Sequence, residues 1–138
     1  MRTQPLDGIR VLDLSSVVVG PATSLRLAQY GAEVIKVEAP GGDLMRTLGG
    51  ESPTGQHSGA YLHFNRGKRA MALDLKQPQA QQAVHAMIPK FDVVLTNMRP
   101  AALERLQLDA ARLRAINPNL IHCSITGFGP GGRYRSLP

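Results

Sequence analysis

The chain has 138 residues, enough for one α/β core and small for an enzyme that needs a second domain. Its 16 Lys and Arg against 10 Asp and Glu give a formal charge of +6, which suits an anionic partner such as a phosphate-bearing cofactor or a nucleic acid, and equally a merely basic surface. The single Cys123 excludes an intrachain disulfide, and no segment pairs a basic start with a long apolar stretch, so a soluble cytoplasmic protein without a membrane span is expected.

Met1 to Pro5 read as a lead-in, and Asp7-Gly8 makes the turn into a first strand around Ile9, Val11, Leu12 and Leu14. Gly20 and Pro21 open a helix whose apolar face carries Ala22, Leu25 and Ala28, and Gly31 closes it. Val34, Ile35 and Val37 supply a β-branched second strand, which completes a βαβ unit. Glycines and prolines from Gly41 to Gly59, Gly49 among them, mark a long irregular loop, followed by a short helical turn over Ala60 to Asn65. Ala70 to Leu75 read as a third strand ending at Lys76. Ala80, Ala83, Val84, Met87 and Ile88 then fit the helical template without a miss. Phe91 to Thr96 hold a short, fully apolar run suited to a buried parallel strand. A helix from Pro100 through Leu106 follows, then one capped by Asp109 and stopped at Asn117-Pro118, then a fifth strand over Leu120 to Ile125. The loop Thr126 to Gly132, with Pro130 inside it, leads to Pro138 in what reads as the middle of a loop.

This alternation predicts an α/β fold, a doubly wound, mostly parallel sheet. Chemistry then belongs in the loops after the strands, Ser15 to Pro21, Asn97 to Pro100 and Thr126 to Gly132. A fourth polar group, Asn65 to Arg69, precedes the third strand and reaches the others only if the long loop folds back. Glu38 sits where a dinucleotide fold keeps its ribose-binding acid, but Ser-Ser-Val-Val-Val-Gly-Pro lacks the glycine fingerprint, and three valines would crowd a pyrophosphate. No Walker loop is present. His57, His63, His85 and His122 lie in different elements and form no metal pattern with Cys123, so no metal site is expected; His85, one position off its helix's apolar face, reads as solvated.

Several strings carry a resemblance in collinear order. They are Pro5-Leu6-Asp7-Gly8-Ile9-Arg10-Val11-Leu12-Asp13-Leu14, Gly20-Pro21, and Gly31-Ala32-Glu33-Val34-Ile35-Lys36-Val37-Glu38-Ala39-Pro40-Gly41-Gly42-Asp43. Further on come Phe64-Asn65-Arg66-Gly67-Lys68-Arg69, Ala72-Leu73-Asp74-Leu75-Lys76, Asn97-Met98-Arg99-Pro100, Leu103-Glu104-Arg105-Leu106, Ile116-Asn117-Pro118 and Gly127-Phe128-Gly129. Together they resemble the start of a class III coenzyme A transferase, the CaiB/BaiF-type family of formyl-CoA and carnitine CoA transferases.

The resemblance implies that residues 1–138 are the incomplete N-terminal part of a large Rossmann-like, CoA-binding domain, with the rest of the enzyme absent. It implies acyl-CoA and carboxylic acid substrates, no tightly bound cofactor, and an interlocked homodimer. It also implies CoA contacts at Val17, Leu73, Lys76, Asn97, Met98, Ala102 and Arg105. CoA carries a pyrophosphate and a 3′-phosphate, for which Lys76, Arg99 and Arg105 are suitable donors. Ala39 departs from an arginine that meets adenine in some members, Val18 from a glutamine at the active site of formyl-CoA transferase, Met98 from a frequent aromatic and Ala101 from a common glycine. The family's nucleophilic aspartate falls beyond Pro138, and Asp13, Asp43, Asp74, Asp92 and Asp109 read as strand-end, loop or cap residues, so no catalytic residue is assigned and the chain alone is expected to transfer no CoA. The α-methylacyl-CoA racemase branch, or a non-catalytic truncated CoA-binding module, are the alternatives. Nucleic-acid binding is not expected, because the few aromatics are explained by packing. An isolated fragment is expected to leave a sheet edge or apolar face uncovered and to associate.

Overall fold

The computed structural model describes residues 4–48, Gly50, Ser52, Pro53, Gly55, 57–129, 131–135 and Leu137. Met1 to Thr3, Gly49, Pro130 and Pro138, assigned above to the lead-in and to loops, lie outside the described residues. Five strands, β1 (Arg10–Asp13), β2 (Glu33–Glu38), β3 (Arg69–Ala72), β4 (Val93–Thr96) and β5 (Ile121–Ser124), form one all-parallel sheet in the order β3-β2-β1-β4-β5. Every strand is followed or preceded by a helix: α1 (Val19–Gln29), α2 (Gly59–Asn65), α3 (Pro78–Met87), α4 (Pro100–Arg105) and α5 (Ala110–Ile116). The order reverses at β1/β4, the crevice where α/β sheets take ligands.

Period-two alternation sends neighbouring residues of β1 and β2 to opposite faces. On one face Leu12, Leu14, Ile35, Val37 and Val94 join Val84 and Ile88, Leu103 of α4 and Leu113 of α5 in the main core. On the other, Val11, Ala32 and Val34 pack with Leu27 and Ala28 of α1 in a smaller one. The second face continues with charge: Asp13, Lys36 and Glu38 are all buried at the carboxyl ends of β1 and β2.

The elements form for local reasons. Proline at the start of α3 and α4 gives up an N–H that would lack a helical partner anyway. Ser58 caps α2 and Asp109 caps α5 by accepting from Tyr61 N–H and Arg112 N–H. Gly31, at φ +102, takes the left-handed position after α1.

The differences from the sequence reading are confined to boundaries and faces. Helix α1 begins at Val19, so Pro21 is its third residue, still within the turn whose N–H groups have no helical acceptor. Strand β3 ends at Ala72 because Asp74 turns the chain, accepting from Lys76 N–H at 3.1 Å, which leaves Leu73 to Lys76 in the following loop. In α3, Ala83 is exposed, and Gln81 is buried instead, its amide donating to Leu75 O at 2.9 Å. His85 is half-buried and bonds the Gln107 carbonyl at 2.7 Å through Nε2. The long loop contains a 3-10 turn over Leu44–Arg46, and it does fold back, since Lys68 reaches Asp13.

Gly20 is where α1 meets the end of β1. A Cβ there would lie 2.1 Å from Ser15 Cβ, and Ser15 is itself buried and bonded to Asp13, so it has nowhere to move. Gly20→Ala is therefore expected to cost on the order of 1–3 kcal/mol by overpacking. Gly59→Ala, at a helical position with nothing within 4 Å, should leave stability unchanged or raise it by about 0.4–1 kcal/mol. Denaturant midpoints of the two variants check this contrast.

Candidate active-site cleft

Three buried charges on one sheet face require partners, and the loops supply them. Lys36 Nζ lies 2.9 Å from Asp43 Oδ2, with each side chain 1% exposed, and donates to Ser15 O at 2.7 Å. Asp43 also accepts from Met45 N–H at 3.0 Å and from Val17 N–H at 3.2 Å. Asp13 accepts from Ser15 N–H, from the Ser15 and Ser24 hydroxyls and from Lys68 Nζ. Lys68 donates further to Pro21 O and Asn65 Oδ1. Burial pushes the Lys68 amine down to about 8, against the opposing pull of Asp13.

Glu38 is held by the long loop. Arg46 donates to both of its oxygens, at 2.7 and 3.0 Å, Asp43 N–H donates at 2.8 Å, and the Tyr61 hydroxyl also donates to it. Burial alone would raise the Glu38 carboxyl, but the Arg46, Tyr61 and Asp43 hydrogen bonds outweigh it and hold the group at about 2. Burial and the Glu38 bond push the Tyr61 hydroxyl up. With these bonds made, Glu38 anchors the loop and is not disposed to bind a ribose, in keeping with the missing glycine fingerprint.

Above this network, at the carboxyl edge of β1, β2 and β4, lies a cleft of about 370 Å³. Its exposed walls are mostly apolar, from Leu14, Val37, Leu75 and Leu106, with Lys36, Glu38, Asp43 and Asp74 also in the lining, and four residues expected from the resemblance line it: Leu73, Lys76, Met98 and Arg105. Lys76 and Arg105 are exposed. They also border a neighbouring hollow with Gln81 and Leu106. A second cleft, about 450 Å³, lies on the β4/β5 side and is lined by Asn97, Arg99, Pro100, Val19 and the loop from Ile125 to Phe128. Asn97 and Arg99 thus sit apart from the first four, while Met98 between them faces the first cleft. Val17, in the β1–α1 loop, adopts φ +71 and is half-buried against Asp43; Ala102 is half-buried on α4 and lines neither cleft. The two clefts therefore flank the β1/β4 reversal, one mostly apolar with Lys76 and Arg105 in its lining and the other with Arg99 and Arg135.

Reading the sequence missed Lys36, Asp43, Asp13, Lys68 and the Glu38–Arg46–Tyr61 group. A signal was present: Lys36 and Glu38 alternate with Ile35 and Val37 in a strand buried on both faces, a position that ionised side chains occupy only with partners. Among the described residues there is no group of three or more His, Cys, Asp and Glu arranged to hold a metal ion, and no helix is long and apolar enough to cross a membrane.

Because the folded-state pKa of Glu38 lies below its ordinary 4.5, its contribution to stability is full above about 4.5 and is lost as pH falls from there through about 2. Denaturant unfolding between pH 5 and 2 is expected to lose stability more steeply in the wild type than in Glu38→Gln, which has no carboxyl to titrate. Equal slopes would contradict the assignment.

Known proteins match this chain over nearly its whole length. The chain is 47% identical over 139 residues to the succinate–glutarate CoA-transferase of Agrobacterium fabrum, covering 96% of this chain and 35% of that protein. It is 40% identical over 130 residues to the formyl-CoA:oxalate CoA-transferase of a Bradyrhizobium species, covering 94% and 30%. The crystal structure of a CaiB/BaiF family protein from Brucella suis superposes with a TM-score of 0.90 at 41% identity, covering 99% of this chain and 37% of that one. The chain thus spans about a third of the length of the curated relatives it matches. The sequence pattern of CoA-transferase family III matches residues 6–138, and the chain belongs to that family.

Proposed function

We propose that residues 1–138 form the N-terminal part of the CoA-binding domain of a CoA transferase, which moves CoA from an acyl-CoA donor to a carboxylic acid. The observation that carries this reading is the apolar cleft at the strand-order reversal, rimmed by Lys76 and Arg105. Its walls suit a flat base and its rim suits phosphates, since charge-assisted hydrogen bonds from lysine and arginine are the strong ones. The names of the matched relatives, which transfer CoA between acids, support the same reaction class.

In this reading Val17, Leu73, Lys76, Asn97, Met98, Arg99, Ala102 and Arg105 lie along bound CoA. An aspartate outside residues 1–138 attacks the acyl thioester carbonyl, the C–S bond breaks and a mixed anhydride forms. The CoA thiolate then attacks the aspartyl carbonyl and expels the donor acid, leaving an aspartyl thioester. The acceptor carboxylate displaces the thiolate from this thioester, and the thiolate attacks the new anhydride at the acceptor's carbonyl, which yields the new acyl-CoA and the free aspartate. The share of this segment in that sequence is to hold CoA and to fix its thioester end. An interlocked homodimer in the cytoplasm, with no tightly bound cofactor, belongs to the same proposal.

Calorimetric titration of CoA into the protein tests the site. Lys76→Ala and Arg105→Ala should each weaken binding roughly 10-fold, the value of one charge-assisted hydrogen bond of about 1.5 kcal/mol. Unchanged affinity in both variants would contradict it. A transferase assay on residues 1–138 alone should give no turnover above blank; measurable turnover would place the nucleophile inside this chain and overturn the mechanism.

A further inference from the structure

Ser15, Ser16 and Val17, which join β1 to α1 between the two clefts, have nearly every backbone polar group bonded to a side chain from elsewhere. Ser15 N–H donates to Asp13 at 2.9 Å, and Ser15 O accepts from Lys36 Nζ at 2.7 Å. Val17 N–H donates to Asp43 at 3.2 Å. Between them, Ser16 N–H donates to Asn97 Oδ1 at 3.0 Å and Ser16 O accepts from Asn97 Nδ2 at 2.9 Å. Only one orientation of the Asn97 amide satisfies both bonds.

This ring of bonds holds an unfavourable conformation. Val17 is β-branched and sits at φ +71, where L side chains are strained and β-branched ones most of all. Such geometry persists only where the surroundings over-determine it. Its consequence is to present Val18 and Val19, 39% and 59% exposed, at the crevice, with Val19 lining the second cleft.

Asn97 ends the β4 side of that crevice and Ser16 the β1 side, so the reciprocal amide bonds span the strand reversal itself. We propose that Asn97 is a positioning residue: it lies along CoA, but both polar atoms of its side chain are spent on Ser16, so the amide fixes the Val17–Val19 turn against which the thioester end of acyl-CoA lies and makes no hydrogen bond to CoA. The proposal rests on the function given above. A ligand running from the apolar cleft to the second cleft must cross this turn. Any slack in it misplaces the reacting carbonyl while leaving the adenosine end, held by Lys76 and Arg105, where it was.

The test uses the full-length protein, with Asn97→Asp and Asn97→Ala. The aspartate keeps the shape and the acceptor but turns an oxygen toward Ser16 O, where the amide had a donor. Three quantities are read: kcat, the Kd for CoA by calorimetry, and hydrogen exchange at the Ser16 amide. Both variants should lower kcat roughly 10- to 100-fold, the effect of a misplacement of about 1 Å. Their Kd for CoA should stay within about threefold of wild type. Exchange at Ser16 should accelerate in Asn97→Ala while the amides of β1 and β4 stay protected. A Kd that rises in step with the loss of kcat/KM would make the Asn97 side-chain amide a CoA ligand and overturn the proposal, as would a Ser16 amide that exchanges at the wild-type rate in Asn97→Ala. Failure of the wild-type protein to bind CoA would instead remove the transferase reading, and exchange at Ser16 would still decide whether the brace exists.

Discussion

Lys36 carries its ammonium into a position from which water is almost wholly excluded, and Asp43 meets it there at 2.9 Å. Neither charge can be buried alone, because removing one partner of such a pair leaves the other uncompensated, at a cost of about 3–5 kcal/mol. The constraint has architectural force because Asp43 belongs to the loop after β2 while Lys36 also bonds the loop after β1. Two loops that share no secondary structure are thereby fixed to each other. Glu38 repeats the device two residues along the same strand, drawing in Arg46 and Tyr61, and Asp13 repeats it on the neighbouring strand with Lys68. The long glycine-rich segment gains a defined path because it supplies the partners of charges the sheet cannot leave unpaired.

The two sheet faces consequently divide the work. The face toward α3, α4 and α5 is a continuous apolar core, whose stabilisation comes from apolar area removed from water. The face toward α1 has a small core at its amino end and an ionic network at its carboxyl end, next to the clefts. Ligand-binding edges must hold polar backbone in defined positions without a regular ladder to do so, and side-chain hydrogen bonds from a rigid sheet meet that need. Both edge strands, β3 and β5, are largely exposed, Ile121 by 60%, so the sheet has thinly covered margins.

Much of this was legible in the order of residues. Alternating apolar runs and helical periods yield the five parallel strands and their helices, since the short β-branched runs Val93-Val94-Leu95 and Val34-Ile35 suit buried parallel strands, and the collinear strings carry the family. Boundaries were less legible. Leu73 and Leu75 continue the apolar character of β3, yet Asp74 accepts the Lys76 N–H and turns the chain, a local hydrogen bond that outweighs pattern. The ionic network was not legible as a set of pairs, because Asp13 and Lys68, or Lys36 and Asp43, are joined by tertiary placement and not by spacing. The same holds for the distribution of the expected CoA residues: Asn97, Met98 and Arg99 are consecutive, but the chain direction after β4 sends Met98 to one cleft and its two neighbours to the other.

A structure of the full-length protein with CoA bound tests the account at its centre, the claim that the carboxyl edge around the β1/β4 reversal is the CoA site. The adenosine and its phosphates are predicted to lie in the apolar cleft, within hydrogen-bonding reach of Lys76 and Arg105, with the pantetheine chain crossing the Val17 turn toward the second cleft. CoA bound at any other surface, with that cleft empty, would contradict the account.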